Sequence, residues 1–211
     1  RARPTRAPSA ADHVVRLVCA SANPAKVAEL ARLMPPRVEL LPRPAAVGDV
    51  EETAPTLQGN AIIKAVEVAN HVEGWAIADD TGLEVTALGG EPGVRSARYA
   101  GEPPDDARNR AKLLAALEGA ADRTARFRTV VAIVSWQGDM HYETGECTGT
   151  IATEERGSNG FGYDSIFVPD EGDGRTFAEM SAGEKDAISH RARAMAKVPL
   201  LIARITGTSP D

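Results

Sequence analysis

Short apolar runs alternate along this chain with segments whose apolar residues recur every three or four positions. That pattern predicts buried strands interleaved with amphipathic helices. Val14 to Ala20 reads as a buried strand, joined through Ser21-Ala22-Asn23 to a helix over Pro24 to Met34. Proline suits the first turn of that helix, and Pro35-Pro36 stops it. Val38 to Leu41 predicts a short second strand, followed by a loop of prolines and acids up to about Pro55. The next helix spans about Leu57 to Val72, with Ile62, Ile63, Val66 and Ala69 on its apolar side. Trp75 to Ala78 reads as a strand that delivers Asp79 and Asp80 into a turn at Thr81-Gly82. Beyond a glycine-rich loop at Gly89 to Gly93, a helix is expected over about Asp105 to Leu117. Phe127 to Ser135 and Met140 to Cys147 flank Gln137-Gly138-Asp139, which predicts an antiparallel hairpin. Gly157 to Tyr163 is a second glycine-rich loop, and a last helix runs from about His190 to Ile205. Strands that alternate with helices and then form a hairpin imply an α/β fold, a mixed sheet with helices on its faces.

The chain has 211 residues, 43% of them hydrophobic, enough to bury one substantial core. A single domain over residues 13–207 is expected, with the Arg-, Pro- and Ala-rich residues 1–12 as a flexible leader and 208–211 as a tail. A formal charge of −6 argues against broad nucleic-acid or membrane-surface binding. An anionic ligand must therefore be met locally, by a metal or by clustered Lys and Arg. Cys19 and Cys147 offer neither metal spacing nor a disulfide framework, so both are expected as reduced, buried thiols. No apolar run approaches the roughly 18 residues that span a bilayer, and no signal-peptide core is seen, so a cytoplasmic location is the expectation.

Against that background the charged motifs stand out. Asp79 and Asp80 hold two carboxylates so close that one proton affinity rises unless a counter-ion, such as a divalent metal, is present. Ser21-Ala22-Asn23-Pro24-Ala25-Lys26 joins a strand to a helix start, where backbone N–H groups carry partial positive charge and a phosphate fits. Ser21 and Asn23 would be its hydrogen-bond partners and Lys26 its point charge, although the same residues also serve as a simple helix cap. Asn60 and Lys64, four residues apart, share a helix face, with Glu51 and Glu52 just upstream. If that helix packs beside the Trp75 strand, Glu52 joins Asp80 on one metal while Lys64 reaches a phosphate. Gly160-Phe161-Gly162-Tyr163-Asp164 sets aromatic rings between glycines, where backbone approaches a flat ligand closely. Ser189 caps the expected last helix, so His190 and Arg191 project from its positive end, with Lys185 nearby.

Taken together, these strings resemble the Ham1/RdgB inosine triphosphate pyrophosphatase family. The matching pieces are Ser21 to Lys26, Glu51-Glu52-Thr53, Asn60-Ala61-Ile62-Ile63-Lys64-Ala65, Ala78-Asp79-Asp80-Thr81-Gly82-Leu83, Leu88-Gly89-Gly90 with Pro92-Gly93, Ser96-Ala97-Arg98-Tyr99, Gly160 to Asp164 and Ser189-His190-Arg191. They follow the family order across nearly the whole chain after the leader. The resemblance implies an elongated mixed sheet flanked by helices, two lobes with a central cleft, and a homodimer. It implies Mg²⁺-dependent cleavage of ITP, dITP or XTP between the α and β phosphates, with Ser21, Asn23, Lys26 and Lys64 at the phosphates. It places the metal on Glu52 and Asp80, makes Asp80 the proposed general base, and gives Thr81 a substrate-binding role in place of the more usual Ser. Asn60 belongs to the same set, and Phe161, Gly162, Tyr163, Asp164, Lys185, His190 and Arg191 hold the nucleoside end.

Hydrolysis at phosphorus rests on positioning and charge neutralisation, which suits Lys26, Lys64 and a metal. Adjacency alone leaves open whether Asp79 or Asp80 takes the proton. A 6-oxo purine accepts from donors at His190 and Arg191, whereas the amino group of adenine meets them with nothing to accept. Two departures from the family pattern stand out: Gly59 where Glu is usual, and Cys147-Thr148 where Trp-Pro is usual, the latter expected in a loop. A Maf-like pyrophosphatase with another base preference, and a non-catalytic nucleotide-binding module, are the competing readings.

Overall fold

The computed structural model describes residues 14–207, so the expected leader and tail lie outside the described residues. Strand β1 (Val15–Cys19) feeds helix α1 (Pro24–Leu33), and β2 (Val38–Leu41) returns parallel to β1. Helix α2 (Leu57–Val72) crosses to β3 (Trp75–Val85), which lies parallel on the other edge of β1. A two-residue strand β4 (Pro92–Gly93), helix α3 (Asp106–Ala116), and the long strands β5 (Thr124–Ser135) and β6 (Met140–Ile151) come next. Strand β7 (Phe167–Pro169) and the helices α4 (Ala182–Ile188), α5 (His190–Met195) and α6 (Val198–Thr206) complete the chain. The seven strands form one sheet in the order β2-β1-β3-β5-β6-β7, with β4 added to β3 and every pair from β3 onward antiparallel. The mixed α/β sheet expected from the sequence is the architecture observed.

Five local features differ from expectation. The turn expected at Thr81-Gly82 is absent, because β5 pairs with β3 without interruption from Trp75 opposite Ser135 to Val85 opposite Ala125. Gly82 serves a different purpose: a Cβ there would lie 2.6 Å from the Gly93 carbonyl oxygen, so the glycine admits β4. The buried face of α2 is Leu57, Ala61, Ala65, Val68 and Ala69, while Ile62, Ile63 and Val66 are only half-buried. Small residues face the sheet because Ala76 and Ala78 of β3 bring helix and sheet close together, and the larger side chains pack at the margins. The expected last helix divides into α5 and α6, since Pro199 fits only the first turn of a new helix. The short helix α4, closed by a Ser181–Glu184 capping box, was not anticipated. Cys147-Thr148 lies within β6 rather than in a loop, and both cysteines are free and buried as expected.

Two consequences of β3 position the chemistry. Successive strand residues point to opposite faces. Ala76 and Ala78 pack on α2, whereas Ile77 packs with Ala194 and Met195 of α5. Asp80 therefore faces α2 and Asp79 faces α5. The second consequence concerns the strand edge opposite β5. There β1 ends with Cys19 opposite Ile77, and antiparallel β4 ends with Gly93 opposite Leu83, so Ala78 to Gly82 border a gap in the sheet. Apolar clusters lie to either side of this gap, one around Phe127, Phe167 and Phe177, the others around Leu17 with Ile133 and Val18 with Val68.

Helix α5 sits tightly on β6 because Gly145 has no side chain. A Cβ there would collide with the backbone of His190 and Ala194. Gly145→Ala is expected to cost about 1–3 kcal/mol of stability through overpacking, read as a lower urea midpoint. An unchanged midpoint would show that α5 does not depend on this contact.

Candidate active site

On the α5 face of β3, the guanidinium of Arg191 is almost completely buried, at 1% exposure. Its Nε and Nη2 donate to Asp79 Oδ2 at 3.2 and 3.0 Å, Nη2 also donates to Thr81 Oγ1 at 3.1 Å, and Nη1 donates to Glu29 of α1. These bonds leave one of the five guanidinium N–H groups free. Lys185 of α4 donates to Glu29 Oε1 at 2.7 Å and to Asp164 Oδ2 at 2.6 Å. Lys26 approaches Asp79 Oδ2 at 3.7 Å. Burial pushes the Asp79 carboxyl up, but Lys26, Arg191 and Lys64 more than reverse it and hold it well below the usual range. Asp79 is thereby a fixed anion and a poor base. Asp164, by contrast, is raised by burial against the opposing pull of Lys185.

On the α2 face, Lys64 Nζ lies between two carboxylates, donating to Asp80 Oδ1 at 2.7 Å and to Glu52 Oε1 at 2.8 Å. Arg98 grips Glu52 from the other side, at 3.2 Å to Oε2 and 3.0 Å to the backbone carbonyl. Asn60, buried on α2, accepts the backbone N–H of Ala54 at 2.9 Å and so ties the Glu52 segment to the helix. Burial and the Glu52 charge raise the Asp80 carboxyl against Lys64. Glu52, although burial pushes it up, is brought below its ordinary value by Lys64, Lys26 and Arg98. Asp80 Oδ2 is buried without a hydrogen-bond partner. Two converging carboxylates, one with an orphaned oxygen, fit a hard divalent cation. No group of three or more His, Cys, Asp or Glu ligands exists among the described residues. That donor set suits a cation of the Mg²⁺ type, which takes one or two carboxylates and completes its shell with water and substrate phosphate. Glu51 is exposed and takes no part in this convergence.

A cleft of about 100 Å³ connects the α1 N-terminus to the glycine-rich loop. Asn23 and Lys26 line one end, Thr81, Arg191 and His190 the floor, and Phe161, Gly162, Tyr163 and Asp164 the far wall. Asn23 acts as the N-cap, its Oδ1 accepting from the N–H groups of Ala25 and Lys26, and Ser21 Oγ accepts from Asn23 N. The helix start thus offers a ligand mainly the Lys26 ammonium, since two of its N–H groups are already bonded. His190 stacks on Phe127 with ring centroids 4.4 Å apart, and its Nδ1 is buried without a partner. Burial, helped by Arg191 and Lys185, drives its pKa well below the usual 6.5, so the imidazole is neutral. Phe161 presents its ring to the cleft near Lys185 and Arg191, and Tyr163 is buried with its hydroxyl donating to the Ser96 carbonyl at 2.8 Å. Gly160 is essential to this loop: its φ is +73°, and a Cβ would collide with the Asp164 carboxylate.

Most of the anticipated residues meet here, on the two faces of one strand and around its open edge. Glu29 was missed: it lies on α1 three residues after Lys26 and gains meaning only from Lys185 and Arg191. Arg98 stood in a noted motif without a role. Gly59 leaves no room for a side chain in this arrangement, since a Cβ would lie 2.5 Å from that of Ala54.

A parallel β-α-β start, a cleft at the strand ends and paired carboxylates around a lysine define the class: an α/β protein built to hold a polyanionic ligand. The chain belongs to the Ham1 family, whose model matches residues 17–199. It is 45% identical to a dITP/XTP pyrophosphatase of Desulforamulus reducens, over 90% of this chain and 97% of that protein. It is 48% identical to another of that name from Christiangramia forsetii, over 84% and 93% of the two chains. The structure of a HAM1 protein from Coxiella burnetii superposes with a TM-score of 0.81 at 40% identity, covering 90% of this chain and 99% of that one.

The buried neutral His190 has a measurable consequence. Its folded pKa lies below the unfolded value, so only the unfolded imidazole takes up a proton as pH falls below the ordinary 6.5. Stability is then lost with falling pH, at up to about 1.4 kcal/mol per unit from this group. Urea unfolding between about pH 7 and about pH 5 is expected to show a smaller slope in His190→Gln than in the parent. Equal slopes would contradict the assignment.

Proposed function

We propose that this chain hydrolyses non-standard purine nucleoside triphosphates, ITP, dITP and XTP, to the monophosphate and pyrophosphate. The observation that carries the reading is a cleft lined by Lys26, Thr81, Phe161 and Arg191 on one face of β3, with Lys64 tying Asp80 to Glu52 on the other. The similarity to proteins named dITP/XTP pyrophosphatase supports it. In the same reading the chain assembles as a homodimer and acts in the cytoplasm.

In this reading the triphosphate lies along the gap beside Ala78 to Gly82. Lys26 and Lys64 meet its negative charge, and Ser21 and Asn23 border it. Glu52 and Asp80 would hold a divalent cation, Mg²⁺, which supplies further neutralisation of phosphate oxygens. Asp80 is the general base, because Asp79 is pinned as an anion by Arg191 and Lys26 while Asp80 Oδ2 has no hydrogen-bond partner. Asp79 instead fixes Arg191, and Thr81 joins that floor through Thr129 at 2.7 Å and Arg191. Phe161 stacks on the purine. The remaining N–H of Arg191 and that of neutral His190 suit a 6-carbonyl acceptor, and an adenine amino group at the same place leaves donors facing donors.

A substrate panel with and without Mg²⁺ tests this reading. Metal-dependent pyrophosphate release is expected from ITP and XTP, with ATP poorer by about tenfold to a hundredfold for a buried donor–donor mismatch of about 1–3 kcal/mol. Preference for dTTP or UTP would favour a Maf-like activity, and ITP binding without pyrophosphate release would favour a binding module.

A further inference from the structure

Helix α3 takes no part in the phosphate chemistry above, yet it lines the cleft at Asp106 and one of its faces touches both walls. Asp106, Asn109 and Arg110 stand three and four positions apart and so share that face. Asp106 Oδ2 accepts the N–H of Gly162 at 2.8 Å, and Arg110 Nη1 donates to the carbonyl of the same Gly162, also at 2.8 Å. Both polar groups of one peptide residue are thus held from a single helix. Arg110 is itself oriented by Glu155 at 2.9 Å, and Glu155 accepts from Ser165 on the far side of the loop. Asn109, buried, donates to the Ala97 carbonyl at 2.9 Å and accepts from Ala100 N at 2.7 Å, bracketing Arg98, the partner of Glu52.

Gly162 lies between Phe161 and Tyr163 at a φ of +60°. Apart from α3, the loop is anchored through Asp164, whose carboxylate accepts from Phe161 N at 2.9 Å and whose N–H donates to Phe161 O at 3.1 Å, and through the Tyr163 hydroxyl. These bonds tie both polar groups of Phe161 to Asp164 and leave those of Gly162, at the tip of the turn, to α3. Fixing the tip stiffens the turn that carries the ring, and a preorganised ring holds a flat ligand without a further ordering cost.

We propose that Asp106 and Arg110 are positioning residues that clamp Gly162 and thereby hold Phe161 in the orientation that receives the nucleobase. The clamp acts on base binding and leaves the phosphate chemistry, on the far side of β3, intact. The proposal rests on the nucleotide reading of the cleft for its kinetic test, and on the loop alone for its structural one.

Asp106→Ala and Arg110→Ala are each expected to raise KM for ITP about threefold to tenfold, the net worth of one ordinary hydrogen bond, with kcat changed by less than about twofold. Asp106→Asn retains an oxygen that accepts from Gly162 N and is expected to restore KM. Hydrogen exchange at the Phe161 amide, which bonds to Asp164 and not to α3, is expected to quicken in both alanine variants. Unchanged KM together with unchanged Phe161 exchange overturns the proposal, as does a fall in kcat equal to the rise in KM. If the parent chain fails to turn over ITP, the nucleotide reading falls. Faster Phe161 exchange in the variants then still upholds the clamp, and unchanged exchange overturns it.

Discussion

The structure depends on keeping ionic side chains charged inside it. Arg191 and Lys185 are buried at the cleft floor, and desolvating such ions is prohibitive unless each finds opposite charge at hydrogen-bond distance. Glu29 from α1, Asp79 from β3 and Asp164 from the glycine-rich loop provide that charge. The pairings join α1, β3, α4, α5 and the Phe161 loop through contacts that satisfy one another. Removing any partner strands a buried charge, so the floor behaves as one unit.

Above this floor, β3 divides the two aspartates. Strand alternation sends Asp79 down into the ionic network and Asp80 toward Lys64 and Glu52. Neighbouring carboxylates thereby acquire opposite roles, one stabilised as an anion and one raised by burial. The gap between β1 and β4 makes both faces of the strand accessible from one opening. A long polyanion laid across that opening meets cations from α1 and α2, and its base end meets the aromatic loop.

Much of this was legible from local sequence. β2 and α2 have the bounds their patterns predict, because proline, capping and periodicity act over a few residues. The charged strings flagged the site, and the family resemblance ordered them. The length of β3 was not legible, because it is set by pairing with β5 some fifty residues on. Which aspartate faces which helix depends on that same extended strand, so reading a turn there hid the division of labour. Glu29 looked like an ordinary helical acid, since its partners Lys185 and Arg191 lie 156 and 162 positions away. Capping by Asn23 was a local possibility that the structure bears out, leaving Lys26 as the main charge at that helix start.

Asp79→Asn and Asp80→Asn, compared for both unfolding free energy and turnover of ITP, test the division between the two aspartates most directly. Asp79→Asn should lose about 3–5 kcal/mol by stranding buried Arg191. Asp80→Asn should lose much less, since Lys64 keeps the Glu52 carboxylate as a partner, while turnover falls by orders of magnitude. The reverse outcome, a stable but inactive Asp79→Asn beside an unstable but active Asp80→Asn, would contradict the account.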